Sequence, residues 1–254
     1  MPVRIGTRGS KLALAQSEQV CRRLIDLGVE VEISIIRTQG DTQTDLPLHE
    51  IGGQGLFVRA LDDAILRNEI DLAVHSMKDI PAKRPEGLFT AAVLPRDSPA
   101  DFLVFEGDIS NVRTIGTSST RRRAQLLRHD PTVEIKSLRG NLDTRIRRLV
   151  AGDFDAIVVA EAGIQRLGYT VSGVRLPLNQ FIPTPNQGTI AIVSRDDPDL
   201  IELLAPLDHS PTHRDVMMER AVMEQVGGGC FTPLGIYCRE GRLLVEVLSL
   251  DGTR

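Results

Sequence analysis

The sequence predicts an α/β protein made of two copies of a strand–helix–strand–helix–strand unit, followed by a small α+β segment. Three observations carry this. Apolar runs of strand length alternate with amphipathic stretches of helix length from Val3 to Ala160. Three short matches recur in the same order: IGT at 5–7 and 115–117, VEISIIRT at 31–38 with VEIKSLRG at 133–140, and IDLAVHS at 70–76 with FDAIVVA at 154–160. Pro-rich breaks at 95–101 (PRDSPAD) and 176–188 (LPLNQFIPTPNQG) sit where a chain would cross between domains and return. Two α/β domains facing one cleft follow, with the two crossings as a hinge. The expected division is 1–94 plus 189–205 for a discontinuous first domain, 100–182 for the second, and 210–254 for a C-terminal α+β domain.

Each element has a local reason. Val3–Thr7 is a strand. Ser10 caps a helix over Lys11–Leu27, with Ala13, Val20, Leu24 and Leu27 on one stripe and Gly28 as its stop. Glu30–Thr38 is a strand, and 39–54 is a polar, Gly-rich loop long enough to be mobile. A helix over Leu56–Asn68 turns Leu61 and Ile65 inward. Leu72, Ala73 and Val74 form a buried strand opened by Asp71. Pro81 pushes Ile80 out of the helical region, which places His75, Ser76, Lys78 and Asp79 in an extended turn beyond that strand. After the first break the pattern restarts. Arg113–Gly116 is a strand, Thr117–Ser119 a cap, and Thr120–His129 a helix. A strand at 133–140, a helix over Asn141–Val150 and a buried strand over Asp155–Ala160 follow, and TIAIVS at 189–194 returns to the first domain. Ser210 as cap and Pro211 at the first helical position open a helix to Val226, with Met218, Ala221, Val222 and Val226 as its core face. The loop GGGCFTPLG (227–235) leads into a hairpin turned at Gly241.

Composition narrows the function classes. Hydrophobic content of 41% and charged content of 25% are ordinary for a soluble globular chain, and no apolar run is long enough to span a membrane. Met1 leads directly into VRIGT, so no signal peptide is expected. Cys21, Cys230 and Cys238 lack metal-type spacing and predict free thiols in a reducing compartment, the cytoplasm. A net charge of −4 argues against a general nucleic-acid binder. Residues 121–148 hold nine Lys and Arg against three Asp and Glu, but no aromatic residue lies between Phe105 and Phe154 to stack a base. His75, His129, His209 and His213 are not spaced as a metal pair, and GGQG at 52–55 has no strand immediately before it, so neither a metal nor a dinucleotide is expected.

Chemistry gathers at the strand ends. In open α/β sheets ligands bind beyond the C-terminal ends of strands, where Lys78 and Asp79 fall. Two caps, Thr7–Ser10 with Arg8 and Thr117–Thr120 with Arg121 and Arg122, pair a helix N-terminus with arginine, a combination suited to a carboxylate or phosphate. Arg139 and Arg145 add cations to the second set, while Arg147 and Arg148 read equally as a solvated face. Cys230, after three glycines, is the accessible thiol; Cys21 and Cys238 read as core residues. Three functions remain open at this point: an enzyme, a two-domain anion binder without chemistry, and an RNA-binding module on 121–148. Asp79 together with Cys230 favours the enzyme, because a pure binder needs neither a poised acid nor a reactive thiol.

The motifs TRGSKLALAQ (7–16), GGQGLFVRAL (52–61), DLAVHSMKDIP (71–81), GTSSTRRRAQL (116–126), SLRGNLDTR (137–145), AGIQRLG (162–168) and GGGCFTPLG (227–235) closely resemble the porphobilinogen deaminase, or hydroxymethylbilane synthase, family. The resemblance implies two periplasmic-binding-protein-like α/β domains and a third small domain. It implies an enzyme of tetrapyrrole (haem-type) biosynthesis that joins four porphobilinogen molecules head to tail into hydroxymethylbilane and releases ammonia at each step. It implies a covalent dipyrromethane cofactor on Cys230 through a thioether, and a catalytic Asp79 beside the pyrrole N–H. Arg8, Arg121, Arg122, Arg139, Arg145 and Arg166 fall on the family's carboxylate-binding positions, with Lys78, Ser10, Ser76, Thr117 and Ser119 as supporting contacts. Of these, Cys230, Lys78, Arg121, Arg122, Ser119, Thr117 and Arg139 are expected on the cofactor, and Arg8, Ser10, Ser76, Arg145 and Arg166 on the substrate. The loop 39–54 would be a lid. Arg59 stands where many members have lysine, and Gln39 where an arginine is frequent. The third domain is expected to be shortened, because relatives continue into another strand and a closing helix. The family implies a monomer with no membrane or nucleic-acid partner.

Overall fold

The computed structural model describes residues 2–36, 56–227 and 232–253. They form two compact units, 1–97 with 189–217 and 98–188 with 218–254. The first unit contains β1 (Val3–Thr7), α1 (Lys11–Asp26), β2 (Val31–Ile35), α2 (Leu56–Leu66), β3 (Leu72–Ser76) and β4 (Leu88–Val93). The second contains β5 (Asp101–Phe105), β6 (Thr114–Gly116), α3 (Thr120–His129), β7 (Glu134–Lys136), α4 (Leu142–Val150), β8 (Ala156–Ala160), α5 (Glu161–Leu167) and β9 (Gly173–Arg175). The chain then returns as β10 (Ile190–Arg195) and α6 (Pro198–Leu204) in the first unit. It continues through α7 (Ser210–Val226) to the hairpin β11 (Leu234–Arg239) and β12 (Arg242–Val247), which pairs as its own two-stranded sheet.

The internal repeat is visible in the sheets. Their orders are β2-β1-β3-β10-β4 and β7-β6-β8-β5-β9. β1, β2 and β3 thus take the places of β6, β7 and β8, in parallel pairing, and each sheet ends with two antiparallel partners. The matched residues have matched work. In IGT, the central strand lets a neighbouring layer approach: a Cβ on Gly6 would sit 2.2 Å from Ile70 Cδ1, and one on Gly116 2.9 Å from both Leu138 and Phe154. The Asp of IDLAV and of FDAIV fastens the start of the adjacent strand. Asp71 accepts the Arg4 backbone N–H at 2.9 Å, and Asp155 accepts that of Thr114 at 2.7 Å.

Most element assignments hold, with instructive differences. Ser10 caps α1 by accepting the Ala13 N–H at 3.3 Å, and Gly28 follows its end with a φ of 81°. The buried stripe of α1 is Gln16, Ser17, Val20, Cys21 and Leu24, whereas Leu27 is exposed. The turn after β3 is a single 3-10 turn over Met77–Asp79 rather than an extended one. Ile80 leaves it with a ψ of 123°, as Pro81 requires. In α7 the expected core face is corrected. Met218, Ala221 and Val226 are exposed, and the buried face carries Val216, Glu219, Arg220 and Met223. Glu219 is inside because its carboxylate accepts the backbone N–H groups of Asn186 at 2.5 Å and Cys238 at 2.8 Å, a use that outweighs its polarity. The cap of α7 is His209, whose Nδ1 accepts the Thr212 N–H at 3.3 Å.

Candidate active site

In the first unit, β1 and β3 are parallel neighbours in register, Ile5 opposite Leu72 and Gly6 opposite Ala73, so their C-terminal ends lie side by side. The end of β1 delivers Arg8, half-buried, and Ser10. The end of β3 delivers Ser76, then Lys78 and Asp79. Gln16 of α1 ties the two together, donating from Nε2 to Ser76 Oγ at 2.7 Å. The 3-10 turn is anchored by Met77 and Ile80, both fully buried in the core with Leu61 and Ile65 of α2. It is closed by the Ile80 N–H on Met77 O at 3.1 Å. Two inward apolar residues leave the intervening pair outward: Lys78 is half-buried and Asp79 exposed. Behind them His75 is buried. Burial pushes its imidazole down to about 3, and the guanidinium groups of Arg84 and Arg8 act in the same direction, so it is neutral at pH 7. Its neighbour Arg84 forms a buried ion pair with Asp62 of α2.

In the second unit the equivalent strand ends carry the other predicted residues. Thr117, buried, accepts the Ser119 N–H at 3.1 Å, and Ser119 caps α3 by accepting the Arg122 N–H at 3.4 Å. Arg139 follows β7 and is exposed. Arg145 donates from Nε to Gly140 O at 2.8 Å, and Arg166 of α5 donates to Gly188 O at 2.7 Å. Arg121 and Arg122 point into the unit. Arg121 Nη2 reaches Asp101 at 2.8 Å; Arg122 reaches the same carboxylate from Nη2 at 2.7 Å and from Nε at 3.1 Å. Their remaining donors go to Gln125, Ile182 O and Val158 O, and Arg121 Nε has no hydrogen-bond acceptor. Burial alone would raise the Asp101 carboxyl, but Arg121 and Arg122 outweigh it and hold the group well below the usual carboxylate range. Cys230, Gln39 and the expected lid lie outside the described residues. Cys21 and Cys238 are buried thiols outside any disulfide among the described residues.

Sequence reasoning did not find Asp101, Gln187 or Glu219. Asp101 and Gln187 sit at the ends of the two Pro-rich breaks, which read as connections. The one available signal was a charge heading the apolar run FLVF. Each unit carries a cationic and hydroxylic donor set at its strand ends: Arg8, Ser10, Ser76 and Lys78 beside the exposed Asp79 carboxylate in the first, and Thr117, Ser119, Arg139, Arg145 and Arg166 in the second. That chemistry fits a ligand bearing several carboxylates.

Comparison with known proteins agrees. Residues 3–202 match the family model described as porphobilinogen deaminase, dipyromethane cofactor binding domain. The chain is 49% identical over 260 residues to a probable porphobilinogen deaminase of Methanosarcina acetivorans, covering 98% of this chain and 82% of that one. It is 44% identical over 264 residues to a porphobilinogen deaminase of Syntrophobacter fumaroxidans, with 98% and 85% covered. Among solved structures, an ancestral cationic amino acid solute binding protein aligns over 89% of this chain and 91% of its own, with 14% identity and a TM-score of 0.49. With that family model spanning most of its length and relatives of this similarity, the chain belongs to the porphobilinogen deaminase family.

Proposed function

We propose that this chain is a hydroxymethylbilane synthase, which polymerises four porphobilinogen molecules head to tail and releases ammonia at each addition. One observation carries the assignment of the chemistry. In a chain of this family, Asp79 is the exposed carboxylate of a turn whose flanking residues Met77 and Ile80 are locked in the core. Departure of ammonia from the protonated aminomethyl group leaves a cationic azafulvene. A fixed carboxylate beside the pyrrole N–H stabilises that charge without reorganising. After the growing chain attacks through its terminal ring carbon, that carbon must lose a proton, and Asp79 takes part in the transfer. Lys78, Arg8, Ser10, Ser76, Arg145 and Arg166 bind acetate and propionate groups of the substrate and chain. Arg139, Thr117 and Ser119 serve the dipyrromethane, while Arg121 and Arg122, whose guanidinium groups are buried on Asp101, hold that part of the second unit together. When bound, that group supplies the pyrrole carbon on which the chain grows, and Cys230 would hold it.

Residues 210–254 act as a third module carrying Cys230, a reading supported by a hairpin that, among the described residues, forms its own two-stranded sheet. We read the enzyme as a cytoplasmic monomer; the two buried thiols, Cys21 and Cys238, agree with a reducing compartment. The test is an intact mass before and after addition of porphobilinogen. A mass excess of two linked pyrrole units, lost in Cys230→Ser, with hydroxymethylbilane formed, is expected. A bare polypeptide that consumes no porphobilinogen would instead make the chain a carboxylate binder on the family scaffold.

A further inference from the structure

Within the first unit, the stretch after the Lys78–Asp79 turn carries Arg84, to which the family resemblance gives no role. Pro85 holds Arg84 extended. Its side chain turns inward to α2, where it is 9% exposed and pairs through Nη2 with Asp62, itself 6% exposed. His75, the penultimate residue of β3, faces the same layer. It alternates along the strand with Ala73, which packs with Leu61 and Ile65 of α2. Asp62, His75 and Arg84 therefore gather on the α2 face of the first sheet.

This cluster has more donors than acceptors. A guanidinium carries five N–H groups. Asp62 is the one hydrogen-bond acceptor of Arg84 among the described residues: Arg84 Nε and Nη1 are buried with no partner, and so is His75 Nε2. Buried polar atoms of this kind are rare in folded proteins and point to a function or a bound group. The imidazole is kept neutral by its burial and by the charges of Arg84 and Arg8, so it can carry its proton on Nε2 and donate it. What the spare N–H groups lack is an acceptor, and beside a guanidinium the strongest acceptor is an anion.

We propose that Arg84 and His75 form an anion subsite of the first unit, which takes one carboxylate group on the unpartnered N–H groups of Arg84 with the His75 imidazole as second donor. The carboxylate has two sources. One is an acetate or propionate arm of the substrate, a source that rests on the function proposed above; the other is a free carboxylate from solution. Pairing with Asp62 needs a single nitrogen, which a lysine also supplies, so Arg84→Lys separates the pair from the subsite.

The test compares holoenzyme with Arg84→Lys in two measurements: KM and kcat for porphobilinogen, and Tm during titration with sodium acetate in the absence of porphobilinogen. A substrate carboxylate in the subsite makes KM rise about tenfold in Arg84→Lys while kcat stays within about twofold. A carboxylate from solution leaves KM unchanged and shows in Tm. Acetate at about five times its dissociation constant then raises the wild-type Tm by about 2–4 °C, and Arg84→Lys loses the rise. An unchanged KM in Arg84→Lys, together with acetate acting alike on both proteins, means that Arg84 serves Asp62 alone and overturns the proposal. If Arg84→Lys does not fold, the double variant Arg84→Leu with Asp62→Leu, which replaces the buried pair by apolar side chains, is read by the same measurements. Wild-type protein that consumes no porphobilinogen would overturn the functional reading instead, and the acetate titration, which needs no turnover, would still decide this one.

Discussion

Asp101→Asn isolates the buried cluster of the second unit. The carboxylate receives four N–H groups, three from arginine and one from Gln187, at 2.7–3.1 Å. Its side chain is 1% exposed, and those of Arg121 and Arg122 are 5% and 8% exposed. An asparagine keeps the shape but removes the only charge placed between two buried cations, and its NH2 must face one of the arginine donors. Breaking a buried pair in this way costs about 3–5 kcal/mol. For a chain of this size that is about 6–20 °C in Tm. The comparison is Asp153→Asn, whose partner Arg148 is at 2.7 Å but whose pair is nearly half exposed, and which should cost less than about 1 kcal/mol. Calorimetry of both variants at pH 7 makes the measurement. The pH arm has a fixed sign. The Asp101 carboxyl is held well below its ordinary value of 3.8, so its contribution is complete above that pH and is lost as pH falls below it. The gap between wild type and Asp101→Asn should be flat from pH 7 to about 5 and close only under more acid conditions. A Tm loss no larger than that of Asp153→Asn, or a gap that closes already between pH 7 and 5, would refute the reasoning.

The other expectations concern both units. His75 is neutral in the fold and ordinary once unfolded, so stability should fall as pH drops from 6.5 toward 3, by up to about 1.4 kcal/mol per pH unit. His75→Gln should flatten urea-unfolding free energies over that range, and an unchanged slope would remove His75 as the cause. Asp79→Asn should keep the dipyrromethane by intact mass and lose about 10²-fold or more in turnover; near-normal rates would take Asp79 out of the mechanism. Gly6→Ala should cost about 1–3 kcal/mol in urea unfolding, because its methyl would meet Ile70 at 2.2 Å, and a neutral result would mean Ile70 repacks freely.

Sequence patterns exposed the repeat because its matches are enforced by local physics. The glycine of IGT has no room for a Cβ, and the aspartate of IDLAV and FDAIV binds the next strand's backbone, so both copies keep them. The turn bearing Lys78 and Asp79 was legible for the same reason, since Pro81 limits Ile80 whatever the tertiary context. What stayed hidden depends on partners far along the chain. Nothing near Arg121 or Arg122 announces that both turn inward to Asp101, about twenty residues earlier, or that Gln187 joins them. The inward face of α7 was misread because periodicity counts Glu219 as polar. It cannot count the two backbone N–H groups, at Asn186 and Cys238, that make its burial favourable.

The place of β10 has a consequence for biosynthesis. It lies between β3 and β4, yet it is translated only after the whole of the second unit's sheet. Every strand of that inserted sheet comes from an unbroken run of chain, so it can close while the earlier sheet is still divided. At ordinary elongation rates, β3 and β4 wait about 5–20 s with bare edges before their shared partner leaves the ribosome. The sheet begun first thus closes after the inserted one, and in that interval the nascent chain offers the open edges of β3 and β4 to any passing β-strand or chaperone.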